Sequence, residues 1–350
     1  MPQPGLIIVD DIPSYRRVAL IRAGRLDQIW FDDATRHPYQ TGALVAVRIT
    51  QHFAQHNRAT VTLDGIPASL RLADHHQHKP GAMIAATIVS DARDDGFGHK
   101  PLQLKAAENT APEDIPATPG LMAAAPDAMA RALATAPDAH IHHDQDGALW
   151  AAHDLDDQLT AAQTPFLDLP GGGRLAITTP PGAAVIDGDS ATSRLAPLAL
   201  AEHMVPTLMR QLRLRRIGGP IVIDFPRLDA KGQHTIHALI KAEAKNDPHK
   251  PSLHGFTRGG LYTMARPWRD RMLAEEALPH GRHLGLAVLR MVKAHQHNLT
   301  PGELVVRLHN DGVDWLGHDG AEIFNQMKAE LAFQVKLISD NNTAVPQRDG

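Results

Sequence analysis

Two apolar, β-branched runs in this chain each end on an aspartate, and no other feature limits the possible folds as tightly. Val185 and Ile186 precede Asp187 in AAVIDGDS, where Asp189 follows closely; Ile221, Val222 and Ile223 precede Asp224 in RRIGGPIVIDFPRL. Runs of this kind read as core strands. An acid held at the end of a core strand is costly unless it has a partner. Two such strands side by side would put two or three carboxylates at one sheet edge, the donor set a hard divalent cation takes. The pattern points to phosphoryl-transfer chemistry, with magnesium, or manganese in its place, as the cofactor. The plain alternative is that Asp187 and Asp224 merely cap strand ends.

Composition narrows the class. A chain of 350 residues with 43% hydrophobic content is long enough for two to four domains with real cores. A formal net charge of −4 does not advertise nucleic-acid binding in bulk, although 35 Lys and Arg can still form a local basic face. There is no cysteine, which removes disulfides and thiolate zinc sites. No apolar run is long enough to span a bilayer, and the first residues lack the pattern of a secretory signal, so the cytoplasm is the expected location.

Along the chain, LIIVD, RRVALIRAG and RLDQIWFDD read as three strands, the last two turning at Ala23-Gly24. Residues 41–105 alternate in five short strands, as in an OB-fold barrel. Residues 106–125, rich in Pro, Ala, Thr and Glu, read as a linker. A helix is expected near 126–136, short strands over 139–144 and 147–151, and a helix over 155–163. Between about 169 and 269, helices alternate with strands, which argues for an α/β layer. A small α/β unit follows. Two histidine clusters, at His75, His76 and His78 and at His140, His142 and His143, have spacings that can bind zinc or nickel; surface histidine is the plainer reading.

Three stretches, GGGRLAITTPPGAAVIDGDS, MRQLRLRRIGGPIVIDF and TRGGLYTMAR, resemble the catalytic region of the ribonuclease E/G family. The middle one, RQLRLR-x-IGG-x-IVIDF, carries most of the likeness. The resemblance implies a mixed α/β fold of several subdomains: ribonuclease-H-like strands over 1–35 and 126–165, an OB-fold RNA-binding barrel over 36–105, a DNase-I-like catalytic subdomain over 166–275, and a small C-terminal domain over 276–340. It implies an endoribonuclease acting on single-stranded RNA, with magnesium held by Asp187 and Asp224 and assisted by Asp189, where the family has asparagine. It points Arg258 toward an RNA phosphate and Ser190 toward a phosphate or ligand, a turn-forming serine being the alternative. The basic stretch with Arg213 and Arg215 can contact RNA phosphates or equally be a solvated, helix-capping face, and Lys100 can contact a phosphate. It leaves a homodimer open. It also implies that dependence on a 5′-monophosphate end is weak or absent, because there is no room for the family's 5′-sensor domain.

The sequence departs from the family pattern in several places. Val61 and Ser69 stand where family barrels carry base-stacking aromatics, with Phe53 as a possible substitute. Thr178, Pro181, Arg227 and Thr263 stand where acids are usual. The cysteine zinc link has no counterpart. These departures thin the shell that would orient the metal ligands. They leave open a second reading, an RNA-binding or partner-binding relative with little catalysis.

Overall fold

The computed structural model describes residues 5–72, 79–94, 98–107, 109–169, 171–297 and 302–349. His75, His76 and His78 lie outside the described residues. The chain divides into two compact units, one built from 1–35, 127–159 and 276–350, the other from 36–126 and 160–275. Among the described residues no helix is long and apolar enough to cross a membrane.

The discontinuous unit is organised by the sheet His140–His143, Leu6–Ile12, Tyr15–Arg22, Arg25–Asp33. Ala23 and Gly24 both have positive φ, the geometry that matches a two-residue hairpin turn to strand twist. Ile7, Val9, Val18, Leu20 and Trp30 pack on the helix Ala128–Thr135, whose first turn is capped by the Asp127 carboxylate accepting from the Ala130 amide (2.7 Å). Ile12 and Tyr15 instead join the core of the long helix His280–His297 and the strand Leu304–Leu308.

A buried charge network ties this unit together. Asp10 accepts from Arg17 Nε at 2.7 Å and from Arg290 Nε at 2.6 Å. Burial pushes the Asp10 carboxyl upward, but the two guanidinium groups outweigh it and hold the group below its ordinary range. Arg17 also lies over the Trp150 ring, 3.8 Å from its centroid. Residues 147–151, expected as a strand, form the short helix Ala148–Ala152. The cause is local: Asp146 and Asp144 accept from the Ala148 and Trp150 amides (3.0 and 2.8 Å) and so satisfy donors that a strand would pair elsewhere.

In the second unit, Leu44–Phe53, Arg58–Leu63, Ile66–Arg71, Leu102–Ala106 and Met83–Ser90 pair in that order, and the last returns to the first, closing a five-stranded barrel. The parallel pairing of Leu102–Ala106 with Ile66–Arg71 among otherwise antiparallel strands is consistent with an OB-like fold. The stretch expected to be only a linker contributes a strand, Gly120–Ala123, along the outside of Leu44–Phe53.

The rest of this unit is a six-stranded sheet in the order Phe166–Asp168, Arg174–Thr178, Ala184–Asp189, Gly219–Asp224, Tyr262–Arg266, Ser252–Phe256. Only the central pair, Ala184–Asp189 and Gly219–Asp224, is parallel, and the helix Pro197–Leu214 makes the crossover that a parallel pair requires. This helix and the helix Ala230–Ala244 contribute Leu200, Met204, Leu208, Ile236 and Ile240 to one core with Ile186, Ile221 and Ile223. Gly188 lets the first helix come close, because a Cβ there would lie 1.9 Å from Met204 Cε. Each buried isoleucine contributes roughly 1.5–3 kcal/mol. A one-residue slip of either central strand would exchange these isoleucines for aspartates in the core, so the register is strongly fixed.

Candidate active site on the solvent-facing side of the sheet

The same alternation that buries Ile186 and Ile223 turns Asp187 and Asp224 to the opposite face. They are register partners across the parallel pair, and both are exposed. Neighbouring strands run about 4.8 Å apart, so the two carboxylates are adjacent. Neither has a hydrogen-bond or ion-pair partner among the described residues. An adjacent carboxylate pair without a countercharge is a donor set that a hard cation fits.

Asp189 lies on the same face one alternation further on, but its carboxylate is engaged locally. Its Oδ1 accepts from the Ala191 amide at 3.0 Å and lies 3.5 Å from Ser190 Oγ. Asp187, Asp189 and Asp224 do not bring three donor oxygens within ligating reach of one another. The reason is the turn after the strand: Ala191 has a positive φ, and the Asp189 side chain braces it. Ser190 is exposed beside it.

Arg258 is exposed in the turn between Ser252–Phe256 and Tyr262–Arg266. Tyr262 pairs with Ile223, which puts that turn at the same end of the sheet as Asp224. Lys100 is not brought to this end. It pairs with Arg93, whose guanidinium lies over the Trp268 ring, 4.4 Å from its centroid, and Trp268 packs against Gly218 and Gly219 at the start of the second aspartate strand. A cleft of about 230 Å³ opens there, lined in part by Arg93, Gly218, Pro220 and Trp268, at the end opposite the acids.

The basic stretch expected to face RNA is largely buried. Arg213 and Arg215 are both nearly inaccessible. Arg215 Nε donates to Gln211 Oε1 (2.7 Å), and its terminal nitrogens donate to the Thr164 and Ala161 carbonyls (2.7 and 3.4 Å). Burial, and after it the charge of Arg210, pulls this guanidinium down to about 10. The side chain supplies donors to carbonyls at the end of the helix Leu155–Gln163, where intrahelical partners run out. Arg266 is likewise internal, donating to both carboxylate oxygens of Asp247 (2.8 and 3.1 Å) and to the Ile217 carbonyl (2.8 Å).

The structure adds residues that the pattern did not single out. Phe166, Ala176, Asp187 and Asp224 form one continuous cross-strand row. Phe166 is 59% exposed, an aromatic surface on the face that carries the acids. Arg174, the register partner of Asp189, lies between them and donates to Asp168 (2.9 Å). The only sequence signal was an aromatic placed just before LDLPGGG.

On the barrel, Phe53 is 40% exposed and forms a row with Arg58 and Arg71, both exposed. His56 borders the same shallow depression. Val61, by contrast, is sealed in the barrel core, and Arg48 is engaged with the Gly81 and Ala117 carbonyls (3.2 and 3.0 Å). His140, His142 and His143 are exposed along an outer strand of the other unit.

Comparison with known proteins bears on the region that holds the acids. The sequence model of the ribonuclease E/G family matches residues 121–269. Ribonuclease E of Synechocystis sp. is 32% identical over 121 residues, covering 33% of this chain and 18% of that protein. Ribonuclease E of Buchnera aphidicola is 26% identical over 164 residues, covering 41% of this chain and 18% of that protein. The matched stretch therefore spans less than a fifth of the length of these relatives. The matched residues include Asp187, Asp189, Ser190, Asp224 and Arg258 together with the strands that position them, so the likeness to the ribonuclease E/G family falls on the region that holds the acids.

Proposed function

We propose that this protein is a metal-dependent endoribonuclease that cuts single-stranded RNA in the cytoplasm, leaving a 5′-phosphate and a 3′-hydroxyl. The observation that carries the reading is the in-register, exposed pair Asp187 and Asp224, without a side-chain partner among the described residues. These two carboxylates would hold magnesium, with Asp189 reaching it only if its own turn is released. Magnesium, or manganese in its place, supplies charge neutralisation at the scissile phosphate and an acidified water.

The remaining roles belong to the chain. Arg258, at the same end of the sheet, binds a phosphate and fixes the strand's direction. Phe166 offers a ring on which a base next to the scissile bond stacks, and Ser190 offers a hydroxyl to the backbone. Phe53, Arg58 and Arg71 form a second platform of the aromatic-plus-arginine kind that grips single strands without sequence preference. Lys100, at the far end of the sheet, serves a more distant phosphate.

A second reading, an RNA-binding relative with little catalysis, is favoured by one observation: the Asp189 carboxylate is engaged by its own loop. Cleavage of a labelled A/U-rich single-stranded RNA separates the two. Internal cuts that need magnesium and vanish in both Asp187→Asn and Asp224→Asn are expected. Retained binding without cuts, or cuts that survive both substitutions, would leave the binding reading.

A further inference from the structure

His280, His309 and Asp311 come together within the unit built from 1–35, 127–159 and 276–350. His280 opens the helix His280–His297, His309 caps the helix Asn310–Gly317, and Asp311 lies in that helix's first turn. One candidate donor atom from each lies within 4.8 Å of the other two. His280 Nδ1 is 2.9 Å from Asp311 Oδ2, and His309 Nδ1 is 3.5 Å from the same oxygen. In a tetrahedral zinc site, bonds of about 2.0–2.1 Å place neighbouring donor atoms roughly 3.3 Å apart, and these two separations bracket that value.

The backbone brings the trio together. A Cβ at position 281 would lie 2.4 Å from the Asp311 carbonyl oxygen, so Gly281 permits the approach that sets His280 beside Asp311. The His309 ring accepts from the Asp311 amide through Nδ1 (3.2 Å), so that nitrogen is unprotonated, and an ion that takes its lone pair displaces the amide. The His280 and His309 rings stand 65° apart with centroids 5.3 Å from each other, edge to face rather than stacked. His280 and Asp311 are exposed, so an ion reaches them from solvent.

We propose that His280, His309 and Asp311 form a zinc-binding site that staples the first turn of one helix to the first turn of the other. Two imidazoles and one carboxylate suit a borderline-soft ion. They are too few oxygens for calcium or magnesium. Three protein donors leave a fourth position for water. When His280 binds the ion through Nδ1, its ring proton is carried on Nε2.

The test uses the full chain with Zn²⁺ in competition with a chromophoric chelator, and Co²⁺ as a spectroscopic probe. His280→Gln, Asp311→Asn and His309→Gln are compared with a control carrying His140→Gln, His142→Gln and His143→Gln. His309 also caps a helix, so metal-free melting checks that each variant folds, and His280→Gln carries the result if His309→Gln does not. One Zn²⁺ per chain, the intense visible spectrum of four-coordinate Co²⁺ and a zinc-dependent rise in Tm are expected for the wild type and the control. Loss of one donor should weaken zinc by more than the roughly 10–100-fold that an outer-shell change costs. Zinc binding that is absent from the wild type, or that survives both His280→Gln and Asp311→Asn, or that is lost in the control, would overturn the site.

Discussion

Asp187 and Asp224 sit opposite each other on the one parallel strand pair of their sheet, two like charges facing the same way with no countercharge among the described residues. That arrangement works against stability. Like charges directly opposed across strands are destabilising by an amount comparable to the roughly 0.2–1 kcal/mol of an ordinary cross-strand pair. In metal-free buffer, Asp187→Asn or Asp224→Asn should therefore raise Tm slightly. Adding magnesium should raise the wild type and leave both variants where they were. Differential scanning calorimetry with and without chelator checks this. A drop in Tm for both variants without metal would mean that the carboxylates have structural partners.

Arg266 and Asp247 make the opposite kind of pair, buried and doubly hydrogen-bonded. Arg266→Met should cost about 3–5 kcal/mol, because it strands the Asp247 carboxylate in the interior. Adding Asp247→Asn to it should recover part of that loss, since the two changes remove a shared interaction. Denaturant unfolding of the single and double variants measures the difference. Equal destabilisation in both would show that packing, not the stranded charge, dominates.

His249, beside this pair, gives stability an acid-side slope. Burial, and then the Arg266 charge, push its imidazole down from 6.5 to about 4. Between those values the unfolded chain binds a proton that the folded chain does not. Stability therefore falls as pH drops from 6.5 toward 4, by at most about 1.36 kcal/mol per pH unit. Burial would raise the Asp247 carboxyl, but its hydrogen bonds to Arg266 outweigh that and hold it below 3.8, so it adds a further loss at lower pH, of the same sign. His249→Gln should flatten the first part of the profile and leave the second.

If the proposed reading holds, the exposed Phe53 and Phe166 contribute separably to RNA affinity. Phe53→Ala and Phe166→Ala should each weaken binding of a single-stranded oligonucleotide by roughly 1–3 kcal/mol, and the losses should add in the double variant. Arg58→Ala and Arg71→Ala should each lower the salt slope of binding by about 0.7. Fluorescence anisotropy over a salt series reads both quantities. An unchanged slope would place RNA elsewhere on the barrel.

What could be read in the sequence was what a local pattern records. LIIVD and IVIDF are strands because β-branched runs have few other uses, and LDDQLTAAQ is the helix its spacing suggests. The parity of Ile186 with Asp187, and of Ile223 with Asp224, already separated a core face from an acid face. What depended on distant residues was not readable. Arg215 looks like any arginine on a helix, and only the Thr164 carbonyl it meets makes it structural. The Gly120–Ala123 strand hides in a proline-rich stretch because its order comes from the barrel strand it pairs with. Phe166 reads as core until the register shows which side it faces, and His280 meets Asp311 only through the fold.

The crossover helix between the two acid strands has a consequence for synthesis. Parallel pairing across it is non-local and cannot form until the second strand has left the ribosome. A nascent chain that ends within the Pro197–Leu214 helix carries Asp187 on an unpaired edge with no Asp224 beside it. The two-acid pair is therefore absent from any nascent chain that has not yet extruded Gly219–Asp224.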